Sequence, residues 1–302
     1  MGPVTESTKV LITGASGLLG SNLVRHYAPL THCTGWYGRN PVNIAGATTL
    51  SMDITDRSSV SRAIQADRPN LIIHCAAATD VEWCERNPEL AKTINEDATE
   101  FLAETTAAIG SKFVFTSTDS VFDGISGNYS ENDPPQPLNS YAAGKVRMES
   151  VVASVNPEAL IIRSYFYGYS PAGTRSLLEW VLTRAQSGNE VPGFTDSYIT
   201  PISATDFATA LDAAIDSKSS GLLHIGSKDS ISKFEFARLV MERYGCDMSL
   251  LRPISVDDAG LNANRPRDTS LNVQLLETIL GSPASTVREG IDHLAALPTP
   301  FH

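Results

Sequence analysis

The sequence predicts an α/β fold, with a doubly wound parallel sheet covered by helices on both faces and a smaller C-terminal lobe. In the first half, short apolar runs alternate with longer amphipathic segments, which is typical of successive strand–helix units. A glycine-rich turn joins the first apolar run to the first amphipathic segment. After Arg163 the alternation becomes less regular, which indicates a separate lobe.

The strands predicted in the first half are short apolar runs bounded by turn residues, namely residues 9–13, 32–36, 48–52, 71–75, 113–116 and 160–162. The first of the helices predicted between them begins near Ser21, and the others cover residues 58–66, 89–109 and 140–154. Pro88 suits a first helical position, and Gly110 suits a helix end.

The second half predicts an aromatic loop at 165–169, helices at 177–185, 203–215 and 232–244, and a strand at 222–225. Ser232 and Glu235 have the spacing of a capping box. We expect a first domain at 1–165 and a second at 166–302, with segments near 196–226 returning to the first.

Composition limits the classes of partner. A chain of 302 residues with 42% hydrophobic content can form a substantial core. The formal net charge of −11 argues against general affinity for nucleic acid or an anionic membrane. No apolar run approaches the roughly 20 residues that span a bilayer. A small-molecule partner is therefore expected.

The cysteines indicate the compartment. Cys33, Cys75, Cys84 and Cys246 are scattered without metal-site spacing, which favours free thiols and no metal. Residues 1–9 are polar and lack the apolar core of a signal peptide. We therefore expect a cytoplasmic protein.

The glycine-rich turn predicts a phosphate site. Gly14, Gly17 and Gly20 follow an apolar strand and open a helix. Their backbone amides can approach a pyrophosphate at the positive end of that helix, and Ser16, Leu18 and Leu19 lie in the same turn.

Tyr141 and Lys145 predict proton-transfer chemistry, because residues four apart on a helix share a face. Lowering a phenol pKa by about two units requires roughly 2.7 kcal/mol. A cation about 4 Å away supplies on the order of 4 kcal/mol at a surface-like dielectric. A hydroxyl such as that of Thr118 could polarise a carbonyl beside this pair.

With these motifs the chain resembles an extended short-chain dehydrogenase/reductase, and most resembles the dTDP-4-dehydrorhamnose reductase group. The motifs that carry the resemblance are the glycine loop at 13–20, the segments 74–79 and 161–164, the S-T-D-S-V-F-D-G segment at 117–124, and the R-P element at 265–272. The resemblance covers nearly the whole chain and implies a Rossmann-like fold.

The resemblance implies a set of cofactor contacts. Asp53 would contact the adenine and Ile54 would pack on it, while Asn95 would buttress the active site. The loop expected under the nicotinamide ribose contains Ala76, Ala77, Ala78, Thr79, with Ser117 nearby.

The second strand suggests which cofactor is used. No carboxylate lies between Cys33 and Asn40 to bind a ribose 2′-hydroxyl, whereas Arg39 offers a fork suited to phosphate. NADPH is therefore expected, with NADH as an alternative.

The resemblance also implies the chemistry. Tyr141 would donate a proton to a ketone that accepts hydride, Thr118 would hydrogen-bond the same oxygen, and Lys145 would lower the Tyr141 pKa and bind the ribose. Nucleotide-sugar dehydratases of the same superfamily follow the threonine with an Asp-Glu pair, whereas here Ser120 follows Asp119. Elimination is therefore disfavoured.

The expected substrate is a 4-keto-6-deoxy nucleotide sugar. The protein is expected in the cytoplasm, and a homodimer is one expected form. Asp119 and Phe166 would lie near the sugar, and Arg265 and Arg267 would bind the diphosphate. Two alternatives stay open: an epimerase that retains NAD, and a non-catalytic module like the regulatory subunit of methionine adenosyltransferase.

Overall fold

The structure is a computed structural model that describes residues 4–174, 176–259 and 266–297. The strands within this part of the chain are β1 (Lys9–Thr13), β2 (His32–Tyr37), β3 (Thr48–Ser51), β4 (Leu71–His74), β5 (Lys112–Thr116), β6 (Leu160–Arg163), β7 (Tyr165–Tyr167), β8 (Val191–Phe194), β9 (Tyr198–Ile199), β10 (Pro201–Ser203), β11 (Gly221–His224), β12 (Ile231–Ser232) and β13 (Leu251–Ile254).

The α-helices of the same residues are α1 (Leu18–Tyr27), α2 (Arg57–Asp67), α3 (Val81–Arg86), α4 (Pro88–Lys92), α5 (Ala98–Ala108), α6 (Ser140–Val155), α7 (Leu177–Gln186), α8 (Ala204–Asp216), α9 (Lys233–Arg243), α10 (Gln274–Leu280) and α11 (Val287–Ala296). A π-helical turn at Thr93–Asp97 connects α4 to α5.

The central sheet contains seven parallel strands in the order β11-β6-β5-β4-β1-β2-β3. The chain builds outward from β1 through β2 to β3 and then returns to the other side of β1 as β4. This reversal opens a crevice at the carboxyl ends of β1 and β4, where sheets of this kind bind ligands. The predicted doubly wound α/β fold is confirmed.

Alternating strand residues supply the cores on the two faces of the sheet, as expected for strands covered on both sides. Ile12 and Ile73 pack on one face with α1, α8 and α10. Leu11 and Ile72 pack on the other face with α2, α5 and α6. The sheet therefore forms a rigid base for the loops at its carboxyl edge.

A second core is formed by α7, α9 and α11. Its centre contains Leu178, Phe236 and Ile291, and Tyr167 packs edge-on against Phe236 with ring centroids 4.9 Å apart. Leu276 of α10 belongs instead to the main core. β11 belongs to the central sheet, where it pairs with β6. The division of the chain at 165/166, with segments near 196–226 returning to the first domain, stays a proposal.

Three local predictions were wrong or incomplete. The expected aromatic loop contains β7, which pairs in parallel with β10. The expected helix at 89–109 is interrupted by the π-helical turn. Ser232 accepts a hydrogen bond from the Glu235 N–H, but the Glu235 carboxylate pairs with Arg238.

No helix in the described ranges is both long and apolar enough to cross a membrane.

Candidate active site

The predicted catalytic side chains meet at the carboxyl edge of the central sheet. Thr118 follows β5, and Tyr141 lies in the first turn of α6. This helix begins after Asn139, whose side chain accepts a hydrogen bond from the Ala142 N–H and so fixes the helix start. The structure thus brings together Thr118, Tyr141 and the next turn of α6, which contains Lys145.

The phenol of Tyr141 is held in its protonated form. Burial raises its pKa above the ordinary value, and the nearby Asp119 carboxylate adds to this, whereas the adjacent Thr118 hydroxyl acts in the opposite direction. Desolvation and this carboxylate are the largest influences on the Tyr141 pKa in the structure, and a lowering of that pKa by Lys145 stays a prediction.

Lys145 is almost completely buried, with 4% exposure, and its ammonium is directed at the end of β5. Its Nζ donates to the Thr116 carbonyl over 2.8 Å and lies 4.7 Å from the Phe115 ring centroid. Burial lowers the Lys145 pKa to about 8, although the Cys75 thiol and the Glu149 carboxylate oppose this shift. The lysine therefore lies close to its titration point at neutral pH.

Asp119 is a buried carboxylate beside this group, with 2% exposure. It accepts hydrogen bonds from Thr269 at 2.5 Å, Thr118 at 3.2 Å and Ser120 at 3.3 Å. Burial raises the Asp119 pKa despite these bonds and the charge of Lys233. Because Ser120 follows Asp119 and contributes a hydroxyl, only one carboxylate directly follows Thr118.

The glycine turn fits a bound pyrophosphate. Gly14 has φ +74°, and a Cβ there would lie 2.8 Å from the Ala76 nitrogen. A Cβ on Gly20 would overlap the Gly14 carbonyl oxygen. No side chain caps α1 at Gly17, so the first-turn amides around Leu18 and Leu19 can donate to an anion.

The loop after β4, which contains Ala76, Ala77, Ala78 and the exposed Thr79, is held by Asn95. The Asn95 Oδ1 accepts from the Ala78 N–H over 2.7 Å, and its Nδ2 donates to the Ala78 carbonyl over 2.9 Å. Asn95 lies in the π-helical turn, a feature often found at functional sites. Its side chain therefore supports the loop rather than facing solvent.

The residues predicted for the adenosine end lie after β2 and β3. Arg39 and Asn40 are exposed, and no carboxylate in the described ranges pairs with the Arg39 guanidinium. Asp53 is exposed, and its Oδ1 accepts from the Thr55 N–H over 2.9 Å, while Ile54 is buried. Asp53 thus also serves its own turn.

A buried network missed by the sequence analysis joins α6 to β6 and to the residue that follows β5. Glu149 accepts from Ser117 Oγ over 2.5 Å and from Arg163 over 2.7 and 2.9 Å. Glu149 lies one turn after Lys145 on α6. This spacing was the one feature of the sequence that indicated that the Glu149 side chain points inward. This network fixes α6 on the sheet.

The residues predicted to bind substrate are more dispersed. Arg267 is about half exposed and pairs with Asp196 at 3.1 Å and with Asp257 at 2.6 Å. Arg265 lies outside the described residues. Phe166 is half-buried in β7 and packs edge-on against Phe207, with ring centroids 6.1 Å apart. A diphosphate contact by Arg267 would require it to leave its carboxylate partners.

A cavity of about 530 Å³ lies at the opposite, amino edge of the sheet and is lined partly by Arg68, Lys112 and Lys218. Lys112 Nζ donates to the carbonyls of Glu158 and Ser219. The cavity is remote from the groups that can do chemistry. Among the described residues no three His, Cys, Asp or Glu side chains are arranged to hold a metal ion.

Comparisons with known proteins identify the family. Residues 8–297 match the RmlD substrate binding domain family. The chain is 35% identical over 297 residues to the probable low-salt glycan biosynthesis reductase Agl14 of Haloferax volcanii, covering 96% of this chain and 97% of that protein. It is 30% identical over 291 residues to methionine adenosyltransferase 2 subunit beta of Bos taurus, covering 94% of this chain and 86% of that protein.

Among solved structures, the chain is similar to the dTDP-4-dehydrorhamnose reductase of Bacillus anthracis str. Ames in complex with NADP. The two are 26% identical, with a TM-score of 0.83, and the match covers 95% of this chain and 98% of that chain.

Proposed function

The chain belongs to the RmlD substrate-binding domain family, and on this premise we propose that it reduces a 4-keto-6-deoxy nucleotide sugar with NADPH. Membership makes it an NAD(P)-dependent oxidoreductase resembling dTDP-4-dehydrorhamnose reductases. The observation that carries the specific reaction is the meeting of Thr118, Tyr141 and Lys145 at the carboxyl edge of the sheet, beside the Gly14 turn.

Tyr141 is suited to donate a proton. Because its pKa is raised, the phenol is protonated at neutral pH, as reduction of a ketone requires. Thr118 is close enough to hydrogen-bond the phenol, so both hydroxyls can address one carbonyl oxygen. As charge develops on that oxygen, the Lys145 ammonium stabilises it and the tyrosinate left behind.

A bound NADPH supplies the hydride. Gly14, Gly17 and Gly20 would hold its pyrophosphate through backbone amides at the start of α1. Residues 76–79 would face the nicotinamide ribose, with Asn95 fixing that loop. Lys145 would bind the ribose hydroxyls, and Arg39 the 2′-phosphate.

The loop after β5 favours reduction over dehydration. Loss of water from a sugar needs a second acid–base group beside the threonine, and Ser120, which follows Asp119, has no carboxylate to act as one. Asp119 is fully engaged by three hydroxyls. We propose that Asp119 and Phe166 adjoin the sugar ring and that Arg265 binds the diphosphate, with Arg267 as the second candidate because Asp196 and Asp257 already engage it.

A second candidate function is suggested by the relative named as a subunit of methionine adenosyltransferase. On this alternative the chain binds a nucleotide without catalysing a reaction. The meeting of Thr118 and Tyr141 favours catalysis, because binding of a nucleotide requires neither the threonine hydroxyl nor a protonated phenol beside it.

The test is a panel of 4-keto-6-deoxy nucleotide sugars with NADPH, followed by loss of the reduced-nicotinamide absorbance. We expect net oxidation of NADPH with at least one nucleotide sugar. Tight cofactor binding without turnover on the whole panel would support the binding module. Co-purified NAD with no net turnover would support an epimerase.

A further inference from the structure

A buried histidine, His74, ends β4 beside the proposed cofactor loop and takes no part in the proton transfer described above. Its side chain is 1% exposed. Its Nδ1 lies 2.7 Å from Thr13 Oγ1 and its Nε2 lies 3.0 Å from Thr99 Oγ1. The ring also stacks with Phe113 and Phe115, each with its centroid 6.2 Å away. Both ring nitrogens are therefore engaged.

Counting protons determines the direction of each hydrogen bond. Thr99 has one hydroxyl hydrogen, and it is donated to the Asn95 carbonyl over 2.7 Å. Thr99 can therefore only accept from His74, so Nε2 must bear a proton. The His74 pKa is lowered to about 3, first by burial and second by the charge of Lys145, so the ring is neutral.

In a neutral ring with a protonated Nε2, Nδ1 is an acceptor. Thr13 must then donate to Nδ1, and its oxygen accepts from the Ala76 N–H over 3.1 Å. A continuous chain of hydrogen bonds thus runs from the Ala76 N–H through Thr13, His74 and Thr99 to the Asn95 carbonyl. Every donor in it has one acceptor.

Both ends of this chain touch the loop proposed to carry the nicotinamide ribose. Ala76 belongs to that loop, and the Asn95 side chain holds Ala78. Thr13 directly precedes Gly14, so the same chain also anchors the glycine turn. We infer that His74 is a positioning residue, fixed as the Nε2–H tautomer, that holds the glycine turn and the π-helical turn in the arrangement the cofactor needs.

The tautomer can be tested without cofactor or substrate. We expect nitrogen NMR of the full chain, labelled with ¹⁵N in its histidines, to show His74 neutral and protonated on Nε2 from about pH 5.5 to about pH 8.5. A proton on Nδ1, or titration of His74 within this range, would overturn the inference.

The positioning role can be tested by two substitutions, each of which preserves half of the chain of hydrogen bonds. His74→Asn retains an amide oxygen near the Nδ1 position, whereas His74→Gln retains an amide N–H near the Nε2 position. Because Thr13 loses its acceptor only in His74→Gln, we expect this variant to weaken NADPH binding by at least about tenfold and His74→Asn by less than about threefold. Equal losses would contradict the inference.

Thr13→Val removes both the bond to His74 and the bond from the Ala76 N–H. Adding it to His74→Gln should therefore weaken NADPH binding further by less than Thr13→Val alone weakens it in the native chain, since one of the two bonds is already absent. Thr106→Val is the matched control, because this buried threonine of α5 donates within its own helix, to Leu102. Multiplicative losses in the double variant would overturn the inference.

The inference rests on the proposed function only for the identity of the cofactor. A native chain with the expected tautomer that does not bind NADPH would contradict the proposed function. NADPH binding by a chain with the other tautomer would contradict the role of His74 alone.

Discussion

Thr269 Oγ1 donates to the Asp119 carboxylate over 2.5 Å, although 150 residues separate them in the sequence. Both side chains are buried. The bond joins the segment that follows the R-P element to the residue adjacent to Thr118. A C-terminal residue thereby helps to hold the loop that is expected to bind the carbonyl oxygen.

Replacing Thr269 with Val should lower the free energy of unfolding at neutral pH by about 1.5–3 kcal/mol, because a buried carboxylate loses its shortest hydrogen bond. Thr269→Ser keeps the hydroxyl and should lose only about 0.8 kcal/mol for the missing methyl group. Urea unfolding measures both. Equal losses in the two variants would show that packing, and not the bond to Asp119, accounts for the effect.

Asp119→Asn should gain stability relative to the native chain as pH rises. The folded state raises the pKa of Asp119 above its ordinary value of 3.8, so its favourable contribution is complete below that pH and is lost as pH increases through the folded value. The stability difference should therefore grow from about pH 4 upward and then level off. Unfolding measured across pH tests this, and a difference that shrinks with rising pH would contradict it.

The same variant should lose at least about tenfold in kcat/KM, since the carboxylate orients Thr118. A variant that gains stability relative to the native chain as pH rises, yet is less active, is the expected signature of a group retained for function.

Arg39→Ala should weaken NADPH binding by about 1.5–3 kcal/mol and leave NADH binding nearly unchanged, because only NADPH carries the 2′-phosphate. Arg62→Ala, which removes an exposed arginine from α2, is the control for general charge effects. Titration of both cofactors measures the four affinities. Equal losses for NADPH and NADH would show that Arg39 does not bind the phosphate.

Arg265→Ala should impair reduction of a nucleotide sugar far more than that of a simple sugar ketone, because the diphosphate positions the ketone for hydride. Arg267→Ala is the matched neighbour and should have the smaller effect, since Asp196 and Asp257 already engage Arg267. Steady-state kinetics with both substrates decides. Proportional losses on both would favour a reductase of small ketones.

The first half of the fold was predictable because β1, β4, β5 and β6 are almost entirely buried and are bounded by turn residues. The predicted strand at 9–13 agrees with β1 in both bounds, and those at 32–36 and 113–116 differ from β2 and β5 by one residue. The smaller lobe was harder to predict, because β7 consists of three aromatic residues that show no alternation of apolar and polar side chains. Its pairing with β10 depends on tertiary contacts.

The site shows the same division. Spacing predicted that Tyr141 and Lys145 share a helix face, but it could not predict that Lys145 donates to the Thr116 carbonyl. The bonds of Glu149 and Thr269 were also missed, because each joins elements far apart in the chain.

The central claim is that Tyr141 delivers the proton, and Tyr141→Phe tests it most directly. Proton transfer by such a group typically contributes 10²–10⁴-fold. The measurement is single-turnover oxidation of bound NADPH by the nucleotide sugar, with NADPH affinity determined on the same samples. We expect the rate to fall by at least about 100-fold while NADPH affinity changes by less than about threefold. A variant that retains more than about half of the native rate would contradict the assignment of Tyr141 as the acid.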